Sequence, residues 1–525
     1  MRLKPAGVWF LAFTAVFAVL AGIVFWGTWA LDVVPVMPDA QTSYPVDFAG
    51  RQWRVFLETG KLIPSDIRFF IGSPYFWQEL QYVLALYAAA LGMAYFGFGR
   101  GLSRLAAYGS GLLLAFCGYW VTLFSAGHVG WFLWMTYGVF AFGLADRAVR
   151  LDKPRYWLLL GLTVAWAGFN QQDLWLLFTL FTSVYFLWCC WRERRFSWRG
   201  MLMSAGVFIA VSLPNFVDTF VNTIAGRKSQ IEQFEKGEAK AGVDQSKDSR
   251  WEFVTNWSMP LEDTCEFFNS RVHGDTSCPF VLSIGRKNAT DVKPYTGALG
   301  RPLGAPQGNY RQHSLYVGWV TCLLALVGVV LGIRRPDVRF FAVAALVFYS
   351  FSLGRYFEPC YRLIYALPAG DLIRCPVKWH HLTEFCLVTL AAYGVDALCR
   401  WRRLSAVWGQ TLVIAIVTWG AVNLAVEAHR YCAPVSMREA RRQGCQADMA
   451  ILSRGDFNRP EVAEMVRRRQ IVSVANYLGN PNYFVVQVLK RFDPRPSTPL
   501  KPLNLTLGLI SILTAVGVVV VVVRG

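Results

Sequence analysis

Charge is what this chain has least of. Only 16% of its 525 residues are Asp, Glu, Lys or Arg, against about 25% in soluble globular proteins. With 54% hydrophobic residues and a mean hydropathy of +0.34, that shortage excludes an ordinary soluble domain and points to an integral membrane protein. Acidic residues are scarcer than basic ones, 34 against 52, which leaves a net charge of +18. The excess is scattered over short loops and forms no single basic face, so nucleic acid is not an expected partner. A repeat of fixed period is lacking, and no cysteine pair has zinc-finger spacing with histidine. The first long polar segment has no adjacent paired carboxylates of the kind that favour a divalent ion. Neither a metal nor a cofactor is expected.

What the chain has instead is long apolar runs. Windows of about 20 apolar residues lie near 8–30, 79–98, 105–125, 130–146, 156–172, 174–191, 201–218, 315–333, 338–353, 382–399, 405–427 and 503–523. The expected fold is an all-α polytopic membrane protein with about twelve transmembrane helices. The run from Val8 to about Val34 is longer than the ~7–15-residue core of a signal peptide, so an uncleaved first span is expected. Arg100, Arg104, Arg147, Arg150, Lys153, Arg155, Arg192, Arg194, Arg334, Arg335 and Arg400 all fall in alternate connections. The positive-inside rule makes that side cytoplasmic, with both termini inside.

The long connections then lie outside: 31–78, 219–314, 354–381 and 428–502. The expected organisation is an N-terminal transmembrane module 1–218, an outer loop 219–314 and a C-terminal transmembrane module 315–427. A small mixed α/β outer segment at 428–502 and a terminal anchor at 503–525 complete it. In the 428–502 segment basic residues outnumber acidic ones, which suits an acidic acceptor or anionic headgroups. The outer segments hold Cys265 and Cys278, Cys360 and Cys375, and Cys432 and Cys445. Three disulfides in an oxidising compartment are the expectation, with unpaired buried thiols as the alternative.

Chemistry-bearing residues gather at the outer ends. Asp39 sits in Pro38-Asp39-Ala40-Gln41, ahead of Tyr44-Pro45-Val46-Asp47. A carboxylate partly shielded from water has a raised pKa and can take a proton from a hydroxyl. Asp47 suits a helix N-cap instead, so Asp39 is the catalytic candidate. Gln41, Tyr44, His128 and Asp173 are candidate substrate-binding residues at the same membrane edge. His128 equally suits an interfacial role, and Asn170-Gln171-Gln172-Asp173 suits a polar hairpin turn. Arg355, Arg374 and Lys378 stand among tyrosines and prolines in 354–381. Guanidinium offers a planar fork matched to phosphate oxygens and lysine a point charge. Headgroup snorkelling is the alternative, but cations here run against the positive-inside trend.

Taken in order, these segments resemble the YfhO-like branch of the GT-C glycosyltransferases. The resemblance rests on Pro38-Asp39-Ala40-Gln41 to Tyr44-Pro45, Glu58-Thr59-Gly60-Lys61-Leu62-Ile63-Pro64, Gly72-Ser73-Pro74 and Gly127-His128. It continues through Tyr316-Val317-Gly318, Leu353-Gly354, Leu367-Pro368-Ala369-Gly370 and Arg374-Cys375-Pro376-Val377-Lys378, into Leu390-Ala391-Ala392-Tyr393-Gly394-Val395-Asp396. It implies a GT-C-like fold and a polyprenyl-phosphate-linked sugar donor. It also implies inverting transfer to a cell-envelope acceptor, at the outer face of a bacterial inner membrane. On this resemblance Asp39 is the general base, and Arg374 with Lys378 stabilise the departing phosphate. A transporter or flippase of the same pathway shares the span count. A non-catalytic scaffold for surface-polymer assembly and a polymer ligase or polymerase are the other readings.

Overall fold

The computed structural model describes residues 5–25, 74–118, 129–169, 172–218, 249–255, 257–270, 272, 315–367, 370, 373–401, 407–432 and 502–524. Every regular element among them is a helix. In chain order these are α1 (Pro5–Val24), α2 (Pro74–Gly99), α3 (Arg104–Ala115), α4 (Val129–Leu151), α5 (Pro154–Ala167), α6 (Gln172–Glu193) and α7 (Trp198–Asp218). After the short α8 (Ser249–Val254) come α9 (Trp319–Gly332), α10 (Pro336–Ser352), α11 (Glu358–Tyr365), α12 (His380–Arg400), α13 (Val407–Cys432) and α14 (Pro502–Arg524). Short 3-10 helices occupy Leu261–Phe267, Gly354–Phe357 and Pro376–Trp379. Proline opens α5 and α10, where a missing N–H costs nothing.

Each of the twelve apolar windows overlaps one of these helices, although windows such as 105–125 and 8–30 extend beyond the described residues. Six, namely α1, α2, α6, α12, α13 and α14, contain stretches long and apolar enough to cross a membrane. A seventh arises if α10 and the segment Gly354–Tyr365, bent by 115°, form one broken span. The others fall short for local reasons. Helices α5 and α9 have 14 residues each, about 21 Å against the ~30 Å of a bilayer core. Helix α7 carries Pro214 inside it, and α4 ends in Asp146, Arg147 and Arg150. The protein is therefore a membrane-embedded helical bundle. The mixed α/β segment expected at 428–502 lies outside the described residues, apart from the end of α13.

Helix α12 is the centre of the bundle. Most of its span is buried, 78% against 28% for α1 and 22% for α14, and it packs on α3, α9, α10 and α13. In a bilayer, close packing replaces the hydrophobic drive between helices, and small residues make it possible. A Cβ at Gly328 of α9 would overlap the Leu390 carbonyl, and one at Gly394 of α12 would overlap the Leu324 carbonyl. The two backbones thus touch reciprocally. Beside them runs an aromatic layer. The Phe142 ring centre lies 4.8 Å from those of Phe181 and Phe385, and Phe96 meets Phe341 at 5.9 Å.

At one end of the bundle, ion pairs tie five connections together. Arg100, just past α2, pairs with Asp146 of α4 and Asp337 of α10. Arg192 of α6 reaches the same Asp337, and lies 3.6 Å from Asp146. Arg150 also stands 3.6 Å from Asp146. A second knot surrounds Asp396 of α12, which accepts from Arg400 at 3.0 Å, from Arg335 at 3.3 Å and from the Ser103 backbone N–H at 2.9 Å. Asp146 and Asp396 side chains are wholly buried. A buried carboxylate is tolerable only when its charge is matched. All of these arginines come from the alternate basic connections read in the sequence. Those connections therefore share one end.

The clasp generates a stability prediction. Asp337→Ala removes one carboxylate from Arg100 and Arg192 and lowers the unfolding free energy by about 3–5 kcal/mol. The denaturation midpoint of the detergent-solubilised protein reads this directly. A change below about 0.5 kcal/mol, the size of a surface substitution, would show that these pairs hold nothing together.

Candidate functional site

The opposite end is organised by a segment that composition alone hides. Residues Ser249–Ser270 lie within the polar 219–314 connection, yet Trp251, Val254, Met259 and Phe267 are buried. Backbone bonds stitch this segment to the bundle. Met259 N–H donates to Ser352 O at 2.9 Å, and Gly318 N–H to Phe267 O at 3.1 Å. Cys375 N–H donates to Val254 O at 3.1 Å, and Val377 N–H to Trp257 O at 3.3 Å. Side chains add to the seam: Thr264 and Tyr349 share a hydrogen bond of 2.7 Å, and Ser270 donates to Glu427 at 2.8 Å. The signal for this docking was the aromatic content of the stretch, since indole and phenyl groups do not stay in water when a surface is near.

The bend after α10 is made at Gly354, whose φ of +50° suits glycine. A Cβ there would overlap Ser258 Oγ and press on Pro376. Three segments therefore converge on one glycine. From this point Arg355 turns back on Ser249–Ser270: its N–H donates to Ser258 Oγ at 3.0 Å, its Nε to Thr255 O at 3.2 Å and one Nη to Glu252 O at 3.1 Å. Arg374 lies with its guanidinium carbon 4.8 Å from the Trp257 ring centre and donates through Nε to Cys375 Sγ at 3.4 Å. Lys378 sits half-buried in the 3-10 turn that leads into α12. The three cations singled out in the sequence thus surround one element. Arg355 holds that element together, while Arg374 and Lys378 flank the Cys375–Val377 turn.

Directly below, the first two turns of α12 bury His380, His381 and Glu384. The Glu384 carboxylate stands 3.8 Å from His380 Nε2 and 3.6 Å from His381 Nδ1. The His380 ring centre lies 4.5 Å from that of Phe267. Ionisable residues inside an apolar span are costly and mark function or a tightly specified contact. The sequence reading passed over this trio, although two histidines and a glutamate in the first turns of an apolar run were the signal. Asp263 and Glu266 of the 3-10 helix are buried at the same end. No metal-holding group of three or more ligand side chains occurs among the described residues.

The other site candidates are not assembled here. Asp39, Gln41, Tyr44 and His128 lie outside the described residues, and Asp173 is described only as a backbone position in the first turn of α6. The disulfide expectation is corrected for one pair: Cys360 and Cys375 are free thiols. Cys375 is buried at a left-handed backbone position with its sulfur facing Arg374, and the Cys265 thiol turns back to donate to Glu262 O at 2.8 Å. Burial, with Glu266 and Asp263 nearby, pushes the Cys265 thiol above its ordinary value. Cys278 and Cys445 lie outside the described residues. No protein-family model, no curated protein and no solved structure matches the chain.

Two measurements follow. Mass spectrometry of the protein alkylated without reductant should find Cys360 modified; recovery of a Cys360–Cys375 linked peptide would restore the disulfide reading. Gly354→Val places a β-branched side chain in left-handed backbone and against Ser258. It should lower stability by about 1–3 kcal/mol or more and speed proteolysis within 249–270, whereas wild-type cleavage rates would refute the convergence on Gly354.

Proposed function

We propose that this protein is an inverting glycosyltransferase that moves a sugar from a polyprenyl-phosphate carrier to a cell-envelope acceptor. The observation that carries the reading is the pair Arg374 and Lys378, set around one turn at the end opposite the ion clasp and directly above His380, His381 and Glu384. In this reading the chain has about twelve spans in a GT-C-like arrangement within a bacterial inner membrane. The clasp end and both termini are cytoplasmic, and the Arg374 end faces outward. The basic clasp-end connections accord with that orientation.

The reaction needs few groups. The Asp39 carboxylate takes the proton of an acceptor hydroxyl as its oxygen attacks the anomeric carbon from the face opposite the leaving group. The anomeric C–O bond to phosphate breaks and polyprenyl phosphate leaves with the electron pair. Arg374 and Lys378 stabilise the charge that gathers on its oxygens. Arg355 serves as a positioning residue, because its guanidinium is spent on the Thr255 and Glu252 carbonyls. The apolar layer around Phe96, Phe142, Phe181, Phe341 and Phe385 favours chemistry at one surface over a polar path through the middle.

The test uses the full chain in nanodiscs with a synthetic polyprenyl-phosphate hexose. Arg374→Gln and Lys378→Gln should each weaken donor binding about tenfold, the loss of one charge-assisted contact of about 1.4 kcal/mol. Asp39→Asn should leave donor binding intact and slow release of polyprenyl phosphate at least a hundredfold. Wild-type binding and turnover in all three variants would overturn the reading.

A further inference from the structure

Past the Gly354 bend the chain forms a short helix, α11, that the span count leaves open: half of a broken span, or a helix lying on the membrane surface. Length separates the two. Helix α10 has 17 residues, about 26 Å of rise against the ~30 Å of a hydrocarbon core. It starts in the clasp, where Asp337 pairs with Arg100 and Arg192, so α10 by itself carries the chain nearly across. The bend therefore falls at the opposite surface and not at mid-bilayer. A turn of 115° there lays α11 across the axis of α10, tipped slightly back toward it. With eight residues α11 is about 12 Å long, too short for a crossing of its own. Trp251, Tyr356, Tyr361 and Tyr365 gather at this level, the aromatic composition of a membrane–water boundary.

The sides of α11 are unlike one another. Tyr361 and Ile364 lie against the bundle and are buried, and the Tyr361 hydroxyl donates to Ile373 O at 3.1 Å. The adjoining side is roofed by α8. The Trp251 ring centre lies 6.1 Å from that of Tyr361 and 5.3 Å from that of Tyr365. The Arg362 guanidinium carbon stands 4.5 Å from the same indole. Arg362 also pairs with Glu358 at 2.9 Å, which matches the two charges along one exposed edge. What remains is apolar. Pro359, Leu363 and Ala366 are exposed, as is Leu367 just past the helix end. Leu363 is 66% exposed and Leu367 54%. At about 100° per residue, Leu363 points about 160° away from Tyr365, and so away from the roof.

We propose that α11 is an interfacial helix whose Pro359–Leu363–Leu367 side is immersed among the outermost acyl carbons of the leaflet at the end opposite the clasp. Position selects lipid as the occupant. The roof over α11 comes from the polar 219–314 connection, which belongs on the aqueous side. The side opposite that roof faces back along α10, against which α11 packs. Helix α10 itself exposes Val343, Leu346 and Val347, as a surface in hydrocarbon does, so lipid that reaches α10 also meets the helix tipped back beside it. The Glu358–Arg362 edge then lies at headgroup level, where a matched pair stays hydrated. An apolar side below and a polar edge above is the arrangement that holds a helix in the plane of a membrane surface. On this assignment α10 is the complete seventh span and α11 adds none. The inference rests on helix order and exposure, and stands independently of the glycosyltransferase reading.

Photocrosslinking of the full chain in phosphatidylcholine nanodiscs tests the proposal. With p-benzoylphenylalanine in place of Leu363, irradiation should give a chain–phosphatidylcholine adduct by mass spectrometry. The same group in place of Glu358 should give none above background. Hydrogen exchange in the same nanodiscs supplies a second readout. Leu363→Glu should speed amide exchange across residues 358–367 about tenfold, the factor that corresponds to the roughly 1.4 kcal/mol a partly immersed leucine contributes. Leu363→Met, which keeps the apolar side, should exchange as the wild type does. Absence of a lipid adduct at 363, equal adducts at 358 and 363, or a crosslink from 363 to a second copy of the chain would overturn the assignment. Wild-type exchange in Leu363→Glu would overturn it equally.

Discussion

Three buried carboxylates, Asp146, Asp337 and Asp396, impose the constraint on which the rest of the bundle depends. Each belongs to a different helix, and each is paired with at least one arginine from another part of the chain: Asp146 and Asp337 with Arg100 and Arg192, Asp396 with Arg335. An aspartate placed there without its partners would face a desolvation penalty of several kcal/mol. The helices therefore cannot separate at that end without exposing an unmatched charge to an apolar surrounding. Arg100 spans from α2 to both α4 and α10, so the network links elements from the two halves of the chain. With that end gathered, α12 is held between α3, α9 and α10, and its first turns are delivered to the other end.

The two ends differ in what the chain places there. At the clasp end, buried carboxylates are paired with arginines within the protein. At the other end, cations stand beside aromatic faces and backbone carbonyls, above a histidine-histidine-glutamate floor. Between them lies a packed aromatic layer. The clasp is thus the rigid foundation on which the other end is set.

Much of the architecture was legible in the sequence because apolar periodicity acts locally. Each of twelve apolar windows overlaps a helix, although among the described residues only six pass as full spans on length and composition. The shortfall comes from helices such as α5 and α9, whose ends are set by packing and caps that hydropathy does not report. The alternation of basic connections was equally readable, and the ion clasp brings those connections together. The aspartates were not weighed with them, since Asp146, Asp337 and Asp396 lie far apart in the chain and only folding makes them neighbours. At the site, Arg355, Arg374 and Lys378 were recognisable by residue type in an unusual setting. Their division into a positioning arginine and two flanking cations was not, because it depends on carbonyls of Glu252 and Thr255 about a hundred residues away. The Cys360–Cys375 pairing failed for the same reason: closeness in sequence carries no information about sulfur direction.

By itself, then, the sequence determined class, helix positions and the sidedness of charge. These follow from the transfer free energy of side chains, a property each residue carries wherever it sits. Only the tertiary structure decided which carboxylate meets which arginine, that Ser249–Ser270 docks on the bundle, and that a groove opens between α5, α6 and α7. Those outcomes rest on directional bonds and on volume, and both depend on neighbours brought together from distant parts of the chain.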